Sequence, residues 1–165
     1  GDANWAKVGY AKGVPMGGDL MTTTAPRLMI AALKDPNSGN LDRVQVIKGW
    51  VDASGKIQNK IYDVAWSGNR KPDGKGKLPS VGNTVDVRNA SYTNSIGSPE
   101  LKTVWTDPEF DPTLPAFYYV RVMEIPTPRW STYDAKALGI APPKDFPATI
   151  QERAWSSPIW YTPQG

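Results

Sequence analysis

The sequence predicts a mainly β fold: an antiparallel β-sandwich of immunoglobulin-like type with one short helix and long Pro/Gly-rich loops. Three observations carry this. The clearest periodicities have a period of two residues rather than 3.6. The candidate strands are separated by dense Gly, Pro, Asn and Asp clusters. Proline accounts for 16 of the 165 residues, about twice the usual ~5%, a load that suits sheet edges, corners and loops. One domain is expected at this length, since a chain of about 150 residues can bury roughly 68–70% of its unfolded surface.

Residues 1–26 show little strand pattern and are expected to form an extended connector into a sandwich spanning 27–165. Within the connector, Gly13-Val14-Pro15-Met16-Gly17-Gly18-Asp19 resembles a phosphate loop only superficially. It lacks the following Lys-Ser/Thr and the strand-to-helix frame that such loops need. Leu28-Met29-Ile30-Ala31-Ala32-Leu33 is a continuous apolar run closed by the turn cluster from Lys34 to Asn40, the pattern of a buried strand. In Arg43–Val51, Val44 and Val46 share one face while Arg43, Gln45 and Ile47 share the other. Asp52-Ala53-Ser54-Gly55 reads as a hairpin loop, and Lys56–Trp66 returns with Ile57, Ile61 and Val64 or Trp66 as inward candidates. The odd spacing between Ile61 and Val64 predicts a bulge there.

Further strands fit Thr84–Arg88, Leu101–Thr106 and Phe117–Ile125, the last being the most β-prone segment in the chain. Asp107–Pro115 contains three prolines and is a connection. The one expected helix runs from Ser131, as its N-cap, to Gly139, as its C-terminal stop.

The chain has no His and no Cys. It therefore lacks the commonest general base, the commonest metal ligand and the most reactive nucleophile, which argues against self-contained catalysis. No apolar run approaches the ~20 residues of a membrane span, and the N-terminus shows no signal peptide. A start at Gly rather than Met suggests a processed or excised fragment. Thirteen of the nineteen basic residues precede residue 91. The densest stretch, Arg70–Lys77, is broken by Pro and Gly and reads as a solvated loop, so no nucleic-acid partner is expected. Asp107, Glu109 and Asp111 alternate as Ca²⁺ ligands could, but their prolines favour Asp-initiated turns. Glu100, Glu124 and Glu152 are acid/base candidates by type alone.

Seven Trp and seven Tyr remain. Core packing is the first reading for them, an interdomain surface the second and a sugar-stacking platform the third. Pro126-Thr127-Pro128-Arg129-Trp130 leaves the strongest strand stiffly and is expected to hold Arg129 and Trp130 outward.

Several longer segments carry a family likeness: Arg43–Trp50, Tyr62-Asp63-Val64-Ala65-Trp66-Ser67-Gly68, Val81–Asp86, Trp105–Pro112, Phe117–Glu124, Ile150–Trp155 and Ser157-Pro158-Ile159-Trp160. Through them the chain resembles the C-terminal part of bacterial proteins grouped as domain of unknown function 3604. Those proteins are several times longer, and their N-terminal part resembles metal-dependent hydrolases of the polymerase-and-histidinol-phosphatase type. The resemblance implies a support or cap for an upstream hydrolase-like domain, with any divalent metal held there and no cofactor in this chain. It also implies a periplasmic or envelope location, and a natural end close to Gly165. The expected partner is that upstream domain, through Met16, Gly17, Gly18, Asp19, Arg129 and Trp130. A carbohydrate- or envelope-polymer-binding module using exposed Trp and Tyr is the alternative.

Overall fold

The computed structural model describes residues 4–163; the ends of the expected connector and of the chain, Gly1–Ala3 and Gln164–Gly165, lie outside them. In chain order the elements are α1 (Trp5–Lys12), β1 (Asp19–Leu20), β2 (Arg27–Leu33), β3 (Leu41–Val51), β4 (Ile57–Trp66), β5 (Glu100–Thr106), β6 (Ala116–Pro128), α2 (Trp130–Leu138), β7 (Thr149–Trp155) and β8 (Ile159–Tyr161). The protein is mainly β. The larger sheet has the order β1-β8-β6-β3-β4, with β7 also on β6, and β2 and β5 form a separate two-stranded sheet. Every pairing is antiparallel except β1 with β8.

The two sheets face each other across one core. Leu28, Ile30 and Ala32 of β2 and Leu101 of β5 meet Val44 and Val46 of β3 and Tyr118 of β6, with Tyr161 closing one side. Val44 and Val46 are fully buried, as the period-two pattern predicts. The 13-residue β6 is the spine of the larger sheet. β8 pairs with Ala116–Tyr118 and β7 with Arg121–Pro128 along the same edge of β6, joined where Ser156 bonds to both backbone groups of Val120. β6 runs on through two prolines because its ladder with β3 stops at Leu41 opposite Glu124. Beyond that point the proline nitrogens have no β3 carbonyl to meet.

The hairpin and bulge form where the sequence places them. Asp52 accepts hydrogen bonds from Ser54 Oγ, Gln58 Nε2 and the Lys56 and Ser54 amides. These bonds, the Ser54 hydroxyl first, hold its pKa down to about 2. Val44 pairs with Ala65 but Gln45 with Asp63, leaving Val64 as the extra residue.

Four expectations need correction. Ile57 and Ile61 point out rather than in, with Ile57 79% exposed, because Lys60 and Tyr62 take the inward positions to serve a polar cluster described below. Thr84–Arg88 forms no strand; only Asp86 bridges to Ser91. There the Asn83, Asp86 and Thr84 side chains capture backbone amides and displace a ladder. Residues 5–12 are helical rather than extended, giving two helices instead of one. Finally, α2 is capped by Arg129 rather than Ser131, because the Arg129 carbonyl already accepts the Thr132 and Tyr133 amides. Gly139 ends α2 at φ 68°, as predicted.

The run Leu28–Leu33, read as a buried strand, is a strand buried on one face only. Leu28, Ile30 and Ala32 face the core, while Met29, Ala31 and Leu33 face outward and are exposed.

Candidate functional site

A buried ion pair joins β3 to the connection that follows β5. Lys48 points inward from β3 between Val46 and Trp50, and its ammonium sits 2.6 Å from Asp107 Oδ2, with both side chains almost wholly buried. Lys48 also donates to the Glu109 carbonyl at 2.7 Å and lies over the rings of Trp50 and Tyr118. Tyr118 donates its hydroxyl to Asp107 Oδ2 at 2.7 Å. Asp107 Oδ1 accepts the Glu109 amide, a tight Asp-initiated turn. Glu109 in turn accepts from Lys60 and from Tyr62, whose ring packs against Trp105.

These contacts tune the acids in opposite directions. Burial, then the bond to Asp107, pushes the Tyr118 phenol well above its usual range; burial, then Glu109, does the same for Tyr62. Lys60, then Tyr62, holds Glu109 below the ordinary carboxylate value. The raised tyrosines keep their protons when folded but would lose them near pH 10 when unfolded. Their stabilisation is therefore complete below about pH 10 and is lost as pH rises further. Melting temperatures measured from pH 8 to 12 should fall steeply at the alkaline end. Tyr118→Phe should make that fall shallower, and an unchanged slope would mean that Tyr118 does not contribute to it.

Chemically the cluster is closed. A cavity of about 20 Å³ lined by Lys48, Trp50, Glu109, Phe110, Tyr118 and their neighbours has room for about one water molecule. Asp107 and Glu109 spend their oxygens on Lys48, Lys60, two tyrosines and a backbone amide, and Asp111 Oδ1 accepts from Thr113. Among the described residues no group of three or more acidic side chains is arranged to hold a metal ion. Glu100 pairs with Lys102 on its own strand, and Glu124 of β6 accepts from Ser38 in the loop before β3.

The residues expected at an interface fall in two places. Gly17 donates its amide to Pro158, Gly18 accepts from the Trp160 amide, and Asp19 lies opposite Trp160, so the connector is stitched onto the last strand as the sheet edge. Met16 projects from this edge and is exposed. Trp130 is 67% exposed at the start of α2, as expected from its stiff lead-in. Arg129, by contrast, folds back over the Phe146 ring, and its Nε is buried without a hydrogen-bond partner.

The outer face of the larger sheet holds a second feature. Along β6, Phe117, Tyr119 and Arg121 point outward, opposite Gly49, Ile47 and Gln45 of β3. On the other side Trp160 stands opposite Phe117 and Trp155 opposite Arg121. Phe117 lies over Gly49, where a Cβ would come within 2.4 Å of its ring. It stacks on Tyr119 at 11° and meets Trp160 at 5.4 Å.

A family model described as protein of unknown function (DUF3604) matches residues 1–163. The chain belongs to that family. No curated protein and no solved structure matches it. The buried ion pair of this DUF3604 chain carries no local sequence signal, because a strand lysine and a loop aspartate meet only through the fold. Arg70, read as part of a solvated basic loop, likewise turns inward. Its Nη2 lies 2.7 Å from Asp42 Oδ1, off the line of its N–H bonds, and it donates to the Asp42 and Pro79 carbonyls. The remainder of that stretch is exposed, as expected.

Proposed function

We propose that this chain is a non-catalytic accessory β-sandwich that supports or caps a preceding domain of the same protein, whose metal-dependent chemistry lies outside these residues. The carrying observation is the outer face of the small sheet. Met29 and Val104 are cross-strand neighbours there and are 39% and 47% exposed, with Leu33 more open still. A continuous apolar strand suits a position covered on both faces, and this chain covers only one.

Helix α1 supports the same reading. It has eight residues and none of them is buried, although Gly9 lies over Met29. Isolated helices shorter than ~12–15 residues are marginal in water and normally depend on tertiary packing. A neighbouring domain seated on β2, β5 and α1 would supply that packing and also cover Tyr10 and Met16, both exposed.

The test is the pair Met29→Lys and Val104→Glu. In this chain alone the exposed double variant should melt within about 0.5 kcal/mol of the parent. In a longer family protein containing the chain, limited proteolysis should release the sandwich faster than from the unsubstituted protein. An unchanged cleavage rate in the longer protein would reject this face as the docking surface.

A further inference from the structure

We infer that the outer face of the larger sheet, on the side of the sandwich opposite the proposed domain contact, binds an anionic polysaccharide along the row Trp160, Phe117, Tyr119 and Trp155. The inference is independent of the docking reading, because it uses the other face.

Four observations point to this ligand. The first is alignment. Trp160 and Trp155 lie on one side of β6, opposite Phe117 and Arg121, so they are separated by four residues of strand, about 13 Å. Tyr119 and stacked Phe117 fill the interval. That length suits a short run of linked sugar rings, whose C–H faces pack on the electron-rich faces of aromatic rings. The second is exposure. Trp155 is 58% and Trp160 47% exposed, although both are large and apolar. Such contiguous apolar surface on a folded domain marks an interaction site.

The third is the polar flank. Gln45 donates to Asp63 at 2.8 Å and accepts two bonds from Arg121, forming a hydrogen-bonded line across three strands that ends beside Trp155. A sugar polymer presents apolar faces and hydroxyl edges together, and this surface offers the matching alternation. The fourth is charge. Asp63 is already engaged by Arg43, whereas neither Arg121 nor Arg153 pairs with a carboxylate among the described residues. Arg153 lies opposite Met123 on the same outer side. Two uncompensated guanidinium groups at one end of the aromatic row favour carboxylate- or sulfate-bearing sugars over neutral ones.

Affinity electrophoresis of this chain in gels containing polygalacturonate or a neutral glucan tests the inference. Polygalacturonate should retard the chain, and Trp155→Ala and Trp160→Ala should each weaken binding about tenfold. Arg121→Gln combined with Arg153→Gln should abolish the preference for the acidic polymer. Titration of the unsubstituted chain should shift its Trp fluorescence, a readout that does not depend on any variant folding. Three results would overturn the inference: no retardation and no fluorescence change, retardation that survives both Trp substitutions, or equal retardation by the neutral glucan. Self-association of the chain that buries Trp155 and Trp160 would also overturn it, assigning the face to a protein contact instead.

Discussion

Asp107→Ala is expected to destabilise the fold by about 3–5 kcal/mol, the cost of stranding a buried ammonium. Asp107 is the carboxylate partner of Lys48, both are almost wholly buried, and Tyr118 donates to the same oxygen. The loss should extend beyond the pair. Asp107 ties the start of the proline-rich 107–115 connection to Lys48 of β3 and Tyr118 of β6, leaving its other anchors, among them the Tyr161 hydroxyl bond to Pro112 and the Lys60 and Tyr62 bonds to Glu109, to hold that connection. Chemical denaturation measures the effect. Combining it with Lys48→Met should restore much of the loss, since an apolar replacement of the whole pair removes the buried charge as well as its partner. A loss below about 1 kcal/mol would mean that water reaches the pair, as at a surface salt bridge.

Gly97→Ala is expected to cost about 2–5 kcal/mol, combining left-handed backbone strain with overpacking. Gly97 has φ +79°, and a Cβ there would lie 2.6 Å from Asn40 Cβ, 2.7 Å from Ile125 Cγ2 and 3.0 Å from the Leu41 carbonyl. Neither Asn40 nor Ile125 can yield easily. Asn40 donates its side-chain amide to the Asn94 and Ile96 carbonyls, and Ile125 is fully buried. Gly55 provides the control, because it has the same φ of +79° but open space around it. Gly55→Ala should cost only the backbone term, about 1–2 kcal/mol. If the two variants lose the same stability, the packing around Gly97 is looser than described.

The sequence is legible where a residue's fate is settled by its neighbours in the chain. Val44 and Val46 alternate with polar residues and are buried, Asp52-Ala53-Ser54-Gly55 turns, Val64 bulges, and Gly139 stops α2. It is misleading where distant partners decide. Ile57 and Ile61 are better core residues than Lys60 and Tyr62, but in the β3–β4 register it is Lys60 and Tyr62 that stand opposite inward-facing Lys48 and Val46, with Tyr62 packed on Trp105. Helix α1 carries no amphipathic signature because no residue of it is buried within this chain, so no apolar stripe marks it. The aromatic row could not be read from composition either. Trp155 and Trp160 belong to different strands and come into line only because β7 and β8 share one edge of β6.

The proposed contact places a preceding domain over α1 and the outer face of β2 and β5. Amide hydrogen exchange of residues 5–12 tests it most directly, compared between this chain alone and a longer family protein that contains it. Rapid exchange is expected in the chain alone and marked protection in the longer protein, with the core strands β3 and β6 protected equally in both. Equal exchange of the α1 amides in the two proteins would contradict it.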